Sequence, residues 1–240
     1  MKQSSYFYAR ITGDRALFTN PATKGGGEKY SYDVPTRQAL KGIIDSVYRK
    51  PTFINVIDEV KVINKIQRES QGTRNLIGFN YGSDLSLTTY LTDVEYLVKF
   101  HFEWNLNRPD LKQDRNLKKH EEMMKRALEL GGRKDVFLGT RECFATIDKI
   151  SEGRYILTPS YYKDETIKLG IMFQSFDYPT SKNDKLKAYY TATEMVNGII
   201  RFKPNKDCDI VNTLNDYIFY PTPKTIKSID QEYDEYIQKG

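Results

Sequence analysis

The segment Asp114-Arg-Asn-Leu-Lys-Lys-His-Glu-Glu-Met-Met-Lys-Arg-Ala-Leu-Glu-Leu-Gly-Gly-Arg-Lys-Asp-Val-Phe-Leu-Gly-Thr-Arg-Glu-Cys143 governs the reading of the chain. Asn116 is placed to cap a helix, Leu117, Met124, Ala127 and Leu128 recur at helical spacing, and Gly131-Gly132 stops the run. Its first turn breaks a rule. Lys118, Lys119 and His120 put positive charge at the helix end that is itself positive. That costs stability unless an anion sits in front, and a helix N-terminus is a ready phosphate site. Such local violations are expected where function is carried. His120 falls three residues after Leu117 and four before Met124, on the apolar stripe. Spacing therefore leaves two readings open, a half-buried core histidine or a proton-transfer group.

Upstream, Leu91–Asn105 reads as the clearest strand. Val94, Tyr96, Val98, Phe100, Phe102 and Trp104 share one face, and Glu95, Leu97, Lys99, His101 and Glu103 share the other. His101 is thus expected as a surface or interface histidine. Tyr6–Gly13 alternates likewise, with Tyr6, Tyr8 and Arg10 opposite an apolar face. Between them, Pro35–Lys50 reads as a helix capped by Thr36, with Leu40, Ile43, Ile44 and Val47 as its stripe and Lys50-Pro51 as its end. Tyr48 sits in its last turn, where the ordinary role is an aromatic lid on the core. Thr52–Ile63 reads as a strand with Ile54, Val56, Val60 and Val62 on one face. Gln67–Thr89, with turn signals at Ile77-Gly78 and Tyr81-Gly82-Ser83, reads as a protruding hairpin or loop. Downstream, Val136–Ile150 is a further strand region, with Cys143 as a strand residue.

The order β-α-β-β-α-β predicts an α+β fold with a ferredoxin-like (RRM-like) domain over residues 1–150. After Ser151 the texture changes. Arg154–Ser160, Ile167–Phe176, Lys187–Thr193 and Gly198–Lys203 read as short strands with no further helix, a smaller antiparallel β domain over 151–215. A polar tail, 216–240, follows. Thr19–Lys29, with its triple glycine, reads as a surface loop; it lacks the Gly-Lys-Ser/Thr of a phosphate-binding loop.

At 240 residues and 39% hydrophobic content the chain can bury a substantial core. No apolar run approaches the roughly 18–20 residues of a membrane span, and Met1-Lys-Gln-Ser-Ser-Tyr leads straight into a strand pattern. A cytoplasmic protein without a membrane partner is expected, in keeping with only two cysteines, Cys143 and Cys208. The net charge of +5 leans towards a polyanionic partner. Asp58-Glu59, Asp84, Asp93 and Glu121-Glu122 are scattered without metal-ligand spacing, so no metal and no cofactor is expected. No Gly-x-Ser-x-Gly nucleophile motif occurs, and the RNA-recognition strand consensus is missing. A Lys-Lys-His turn, a helix-end tyrosine and dispersed arginines remain. These parts suit metal-free RNA cleavage, in which a base takes the 2′-hydroxyl proton, an acid protonates the leaving oxygen and a cation offsets charge on the phosphorane.

Four blocks add a resemblance: Ala16-Leu-Phe-Thr-Asn-Pro, Tyr30-Ser-Tyr-Asp-Val-Pro-Thr-Arg-Gln-Ala-Leu-Lys-Gly-Ile, Val47-Tyr-Arg-Lys-Pro-Thr and Phe137-Leu-Gly-Thr-Arg-Glu-Cys. From about Tyr6 to Asn212 the chain resembles the CRISPR-associated Cas family five, subtype d. The resemblance implies an endoribonuclease that cuts the repeat hairpin of precursor CRISPR RNA. It further implies that the protein stays on the 5′ handle, beside the backbone and large subunits of the type I-C Cascade complex, with double-stranded DNA as a further partner. The family's catalytic set falls on Tyr48, Lys119 and His120. Arg49, where family members often carry an aromatic residue, joins Lys118, Arg133 and Lys134 as candidate RNA-backbone contacts. The rival readings are a non-catalytic subunit that caps the handle and a general duplex binder.

Overall fold

The chain is built around β5 (Gly82–Trp104), in a computed structural model that describes residues 3–21, 23, 28–77, 82–179, 184–214, 234, 237 and 238. On one side β5 pairs antiparallel with β1 (Phe7–Ala16), Phe7 facing Phe100; on the other it pairs with β3 (Phe53–Val62), Phe53 facing Trp104. β7 (Phe144–Lys149) adds to the free edge of β1, so the central order is β3-β5-β1-β7. The protein is therefore an α+β fold on an antiparallel sheet. Between β1 and β3 run β2 (Lys29–Tyr30) and helix α1 (Arg37–Val47); between β5 and β7 run helix α2 (Leu117–Glu129) and β6 (Val136–Phe137). β4 (Gln67–Ile77) and the first half of β5 form an antiparallel hairpin, Gln67 facing Thr92. Its tip at 78–81, most of the glycine-rich connection and most of the tail after Leu214 lie outside the described residues.

Both helices start and stop for local reasons. The Thr36 hydroxyl accepts the Ala39 N–H at 3.2 Å, and the Asn116 side chain accepts the Lys119 N–H at 3.1 Å, each satisfying one of the amides a helix start leaves open. α2 ends at Gly131 and Gly132, both at positive φ, with the Gly132 N–H closing on the Ala127 carbonyl at 2.8 Å. Leu40, Ile43, Ile44 and Val47 of α1 and Met124, Ala127 and Leu128 of α2 are buried with Tyr96, Val98, Phe100 and Phe102 of β5 in one core. Fully burying side chains of this size contributes roughly 1.5–3 kcal/mol each before entropy is counted.

Past Ser151 the sheet continues. β8 (Thr166–Asp177), β9 (Leu186–Val196), β10 (Ile199–Arg201) and β11 (Ile210–Leu214) extend it, with β10 pairing antiparallel to β3 as Ile200 faces Val60. Four expectations are corrected. Arg154–Ser160 is not a strand: helix α3 (Glu152–Leu157) lies there, because the Ser151 hydroxyl caps the Arg154 N–H at 3.2 Å and Glu152 suits a first turn. α3 packs on the far face of the sheet, where Tyr155 meets Tyr8 and Leu97 in a small second core. In β3 the alternation breaks at a bulge between Ile57 and Glu59, so Phe53 and Ile57 join Val60 and Val62 in the core and Ile54 is exposed. His101 is buried rather than superficial, because the Asp58 carboxylate, displaced by that bulge, takes its Nδ1 at 2.8 Å. Cys143 sits buried in the turn between β6 and β7, not in a strand.

The block Phe137-Leu-Gly-Thr has a backbone reason. Leu17 N–H donates to the Leu138 carbonyl at 2.9 Å, and Gly139 at φ 99° lies so close that a Cβ there would collide with the Leu17 carbonyl. Gly139→Ala should therefore destabilise the fold by about 2–4 kcal/mol, combining left-handed strain with a clash against backbone. Urea denaturation checks this; a change under about 0.5 kcal/mol, the range of ordinary surface substitutions, contradicts it.

Candidate active site

Lys50-Pro51 forbids a further turn of α1, and Tyr48 leaves the helix with extended backbone (φ −155°, ψ 118°) while its N–H still reaches the Ile44 carbonyl. Asn55 pins the exit by donating from Nδ2 to the Tyr48 carbonyl at 3.1 Å. The Tyr48 ring is thereby turned inward, against Phe53 on one side and beneath the Arg133 guanidinium, 4.7 Å from the ring centre. α2 starts opposite. Capping by Asn116 fixes its phase, and that phase carries His120 into the interior with no exposed surface.

The two side chains meet there: Tyr48 Oη lies 2.9 Å from His120 Nδ1. His120 Nε2 is 2.9 Å from the backbone carbonyl of Asp114, and a carbonyl only accepts. Nε2 therefore carries the hydrogen, and in the neutral ring Nδ1 accepts the Tyr48 hydroxyl proton. Phe53, Trp104 and Phe102 surround the imidazole at centroid distances of 5.2, 5.9 and 6.4 Å. Burial pushes the Tyr48 hydroxyl above the usual tyrosine range, and Arg133 and Lys119 pull it part of the way back. The pair can thus pass a proton between oxygen and nitrogen, with two cations stabilising the tyrosinate side.

The paradox of the basic first turn is resolved by a residue sequence reasoning did not single out. Asp114 ends a 3-10 turn over Pro109–Asp114, directly in front of α2. Its carboxylate takes Lys119 Nζ at 2.6 Å and the Thr52 hydroxyl at 2.7 Å, and lies 3.4 Å from His120 Nε2. The Lys119 hydrogen bond first, then that of Thr52, hold the Asp114 carboxyl down at about 2. Two like charges and a positive helix end had called for an anion, which was the available signal; its position two residues before the cap was not legible.

Of the seven sequence-derived candidates, Tyr48, Lys119, His120 and Arg133 are brought together. Lys119 stands beside the pair with about half its side chain exposed, and Arg133 is exposed apart from the tyrosine ring beneath it. Arg49, Lys118 and Lys134 are also exposed, each next in sequence to one of the four. Among the described residues no group of three or more His, Cys, Asp or Glu side chains is spaced to hold a metal ion, and no helix is long and apolar enough to cross a membrane.

Comparison with known proteins places the chain in a family. A protein from Mannheimia succiniciproducens called CRISPR pre-crRNA endoribonuclease Cas5d is 28% identical over 219 residues, 81% of this chain and 93% of that one. Two crystal structures align at higher identity. The functionally uncharacterized protein SMU1763c from Streptococcus mutans is 58% identical with a TM-score of 0.76, covering 89% of this chain and all of its own. A CRISPR-associated protein is 53% identical with a TM-score of 0.77, covering 89% of this chain and 99% of its own. Residues 7–203, which include β1, both site helices and β10, match the Cas5d family described as CRISPR-associated protein (Cas_Cas5), and the chain belongs to that family.

Proposed function

We propose that the protein is a metal-independent endoribonuclease that cuts the repeat hairpin of precursor CRISPR RNA and remains on the 5′ handle as a type I-C Cascade subunit. The observation that carries this reading is the 2.9 Å contact between Tyr48 Oη and His120 Nδ1, made by residues 72 apart in sequence, with Lys119 beside it. Family membership and the name of the Mannheimia relative support it. On the same reading residues 1–150 form a ferredoxin-like unit, favoured by the strand order β3-β5-β1-β7 with one helix before β3 and one after β5. Residues 151–215 then form its β extension. The complex's backbone and large subunits are partners, and double-stranded DNA is a further one that the net charge of +5 favours.

The chemistry follows from the pair. His120 has both nitrogens engaged inside the fold, so it acts on the substrate through Tyr48. Tyr48 takes the proton of the 2′-hydroxyl beside the scissile phosphate as its own proton passes to His120 Nδ1. The freed 2′-oxygen attacks phosphorus, the bond to the 5′-oxygen breaks as that oxygen takes a proton from solvent, His120 returns its own proton through Tyr48, and Lys119 and Arg133 offset the phosphorane charge. The products are a 2′,3′-cyclic phosphate and a 5′-hydroxyl. A subunit that only capped the handle would have no use for a proton-relaying pair.

Purified protein incubated with its own repeat RNA should cut it equally with excess EDTA or with magnesium. A single 2′-deoxy substitution at the cut should abolish cleavage while affinity, dominated by phosphates and hairpin shape, hardly changes. Loss of cleavage under chelation, or products with a 5′-phosphate, would mean that water attacks and that the residues are misassigned.

Tyr48→Phe deletes one hydroxyl and keeps the ring. The single-turnover rate should fall roughly 10²–10⁴-fold with hairpin binding intact. His120→Ala should match it in rate, with thermal denaturation run alongside because the change also opens a cavity. If Tyr48→Phe cuts within a few-fold of the parent, the pair is only a satisfied core contact.

A further inference from the structure

Away from the catalytic pair, a cleft of about 650 Å³ lies over β8, β9 and β10. Its floor is apolar where Val196 and Ile199 line it, and its rim carries Lys168, Arg201 and Lys203 against the single acid Glu194. Among the described residues the ion pairs of Arg201 and Lys203 are long, 3.4 Å to Glu59 and 3.8 Å to Asp209. Gln174 also lines it, 2% exposed, and its Oε1 has no hydrogen-bond partner among the described residues. A buried, unpaired amide oxygen costs free energy and calls for an explanation. The backbone supplies part of one. The β8–β9 register shifts between Phe173 and Ser175, so Gln174 is the extra residue of a bulge, and a second shift between Lys168 and Gly170 flanks the cleft. Bulges re-aim side chains and recur beside binding sites.

An apolar surface for a flat ring at one end, an unpaired acceptor about 20 Å away at the other and cations along the rim describe the chemistry of a short stretch of RNA strand. The volume lies within the range of small-ligand sites. Arg201 faces Glu59 in the β10–β3 register, six residues along β3 from the Phe53 that packs on the catalytic pair, a separation of about 20 Å. We infer that this cleft is a nucleotide subsite for the bound RNA, remote from the cut. One base lies on Val196 and Ile199, another about 20 Å along β9, beside Tyr190, donates an N–H to Gln174 Oε1, and the phosphates between them meet Lys168, Arg201 and Lys203. The inference rests on the proposed RNA-processing function, and it gives Gln174 a role in holding the strand rather than in the reaction.

The test reads binding apart from cleavage. Fluorescence anisotropy follows repeat RNA made uncleavable by a 2′-deoxy at the cut, and single-turnover cleavage of unmodified RNA runs in parallel. Gln174→Leu removes the orphan oxygen at similar volume. Its melting temperature should hold or rise while RNA affinity falls about three- to tenfold, with the cleavage rate at saturating enzyme unchanged. Lys168→Ala/Lys203→Ala, on the exposed rim, should weaken binding and make the slope of log affinity against log salt shallower by about 0.7 per lysine. Unchanged affinity in both variants overturns the inference. So does a Gln174→Leu protein that loses stability and keeps its affinity, since Gln174 would then be structural; if that variant fails to fold, the lysine pair decides alone. A parent protein that binds but does not cut sinks the nuclease reading and leaves the cleft to be judged by the same affinities. A parent that does not bind sinks both.

Discussion

Everything at the site hangs on one acidic residue placed ahead of α2. Asp114 holds His120 through its backbone carbonyl and holds Lys119 and Thr52 through its carboxylate. Thr52 lies at the entrance of β3 and Tyr48 at the exit of α1, so the same residue ties the α1–β3 corner to the first turn of α2. The loop that delivers it is braced by Arg115, whose guanidinium donates to the Asn105 and Arg108 carbonyls at 2.9 and 3.1 Å. Without that anion, two lysines would crowd a helix end already carrying partial positive charge. With it, the crowding becomes an arrangement in which one lysine is held beside the buried pair.

The chain has two histidines, and the sheet separates them by chemistry. His120 lies on the helix face among rings, its partners a phenol and a carbonyl, so a neutral imidazole with a defined tautomer satisfies both nitrogens. His101 lies on the opposite face beside carboxylates. Burial alone would lower its pKa, but the Asp58 hydrogen bond and charge, with Glu103, outweigh that and raise it. The imidazolium of His101 is therefore retained to higher pH as half of an ion pair. Position on one face of the sheet or the other decides which histidine meets a phenol and a carbonyl and which meets carboxylates.

Much of this was readable from local rules. The caps at Thr36 and Asn116, the apolar stripes of α1 and α2 and the double glycine after α2 act over four or five residues, and the helices fall where those signals put them. The facing rows of β5 were equally plain, because strict alternation over more than ten residues has one interpretation. The pairing of Tyr48 with His120 is not readable from spacing, since no local pattern links residues 72 apart; resemblance to a family names both residues, and the fold brings them into contact. The bulges at Asp58 and Gln174 were invisible for another reason. An inserted residue leaves composition unchanged and only shifts the alternation, so that Ile54 faces solvent and the inserted Asp58 reaches His101. α3 is not legible in the sequence because six residues of mixed polarity do not distinguish the two periods.

The exposure of the parts implies an order of events on the proposed reading. Tyr48 and His120 are shut inside the fold, at 2% and 0% exposure, whereas Lys119 and Arg133 lie outside them. A polyanion meets the two cations first. Exposed ion pairs are worth little in water because both charges remain well solvated elsewhere, so a phosphate can replace Asp114 at Lys119 at small net cost. Asp114, with its carboxyl held at about 2, remains an anion after that exchange and keeps Thr52 and the His120 anchor through separate atoms. The same phosphates draw on Arg133, whose guanidinium covers the tyrosine ring. The hydroxyl that must reach the RNA is thus uncovered by the ligand's own charge, and the relay behind it stays assembled throughout. A buried pair with exposed cations in front couples proton transfer to prior engagement of the backbone. That coupling makes selectivity a property of where the phosphates lie rather than of the pair itself.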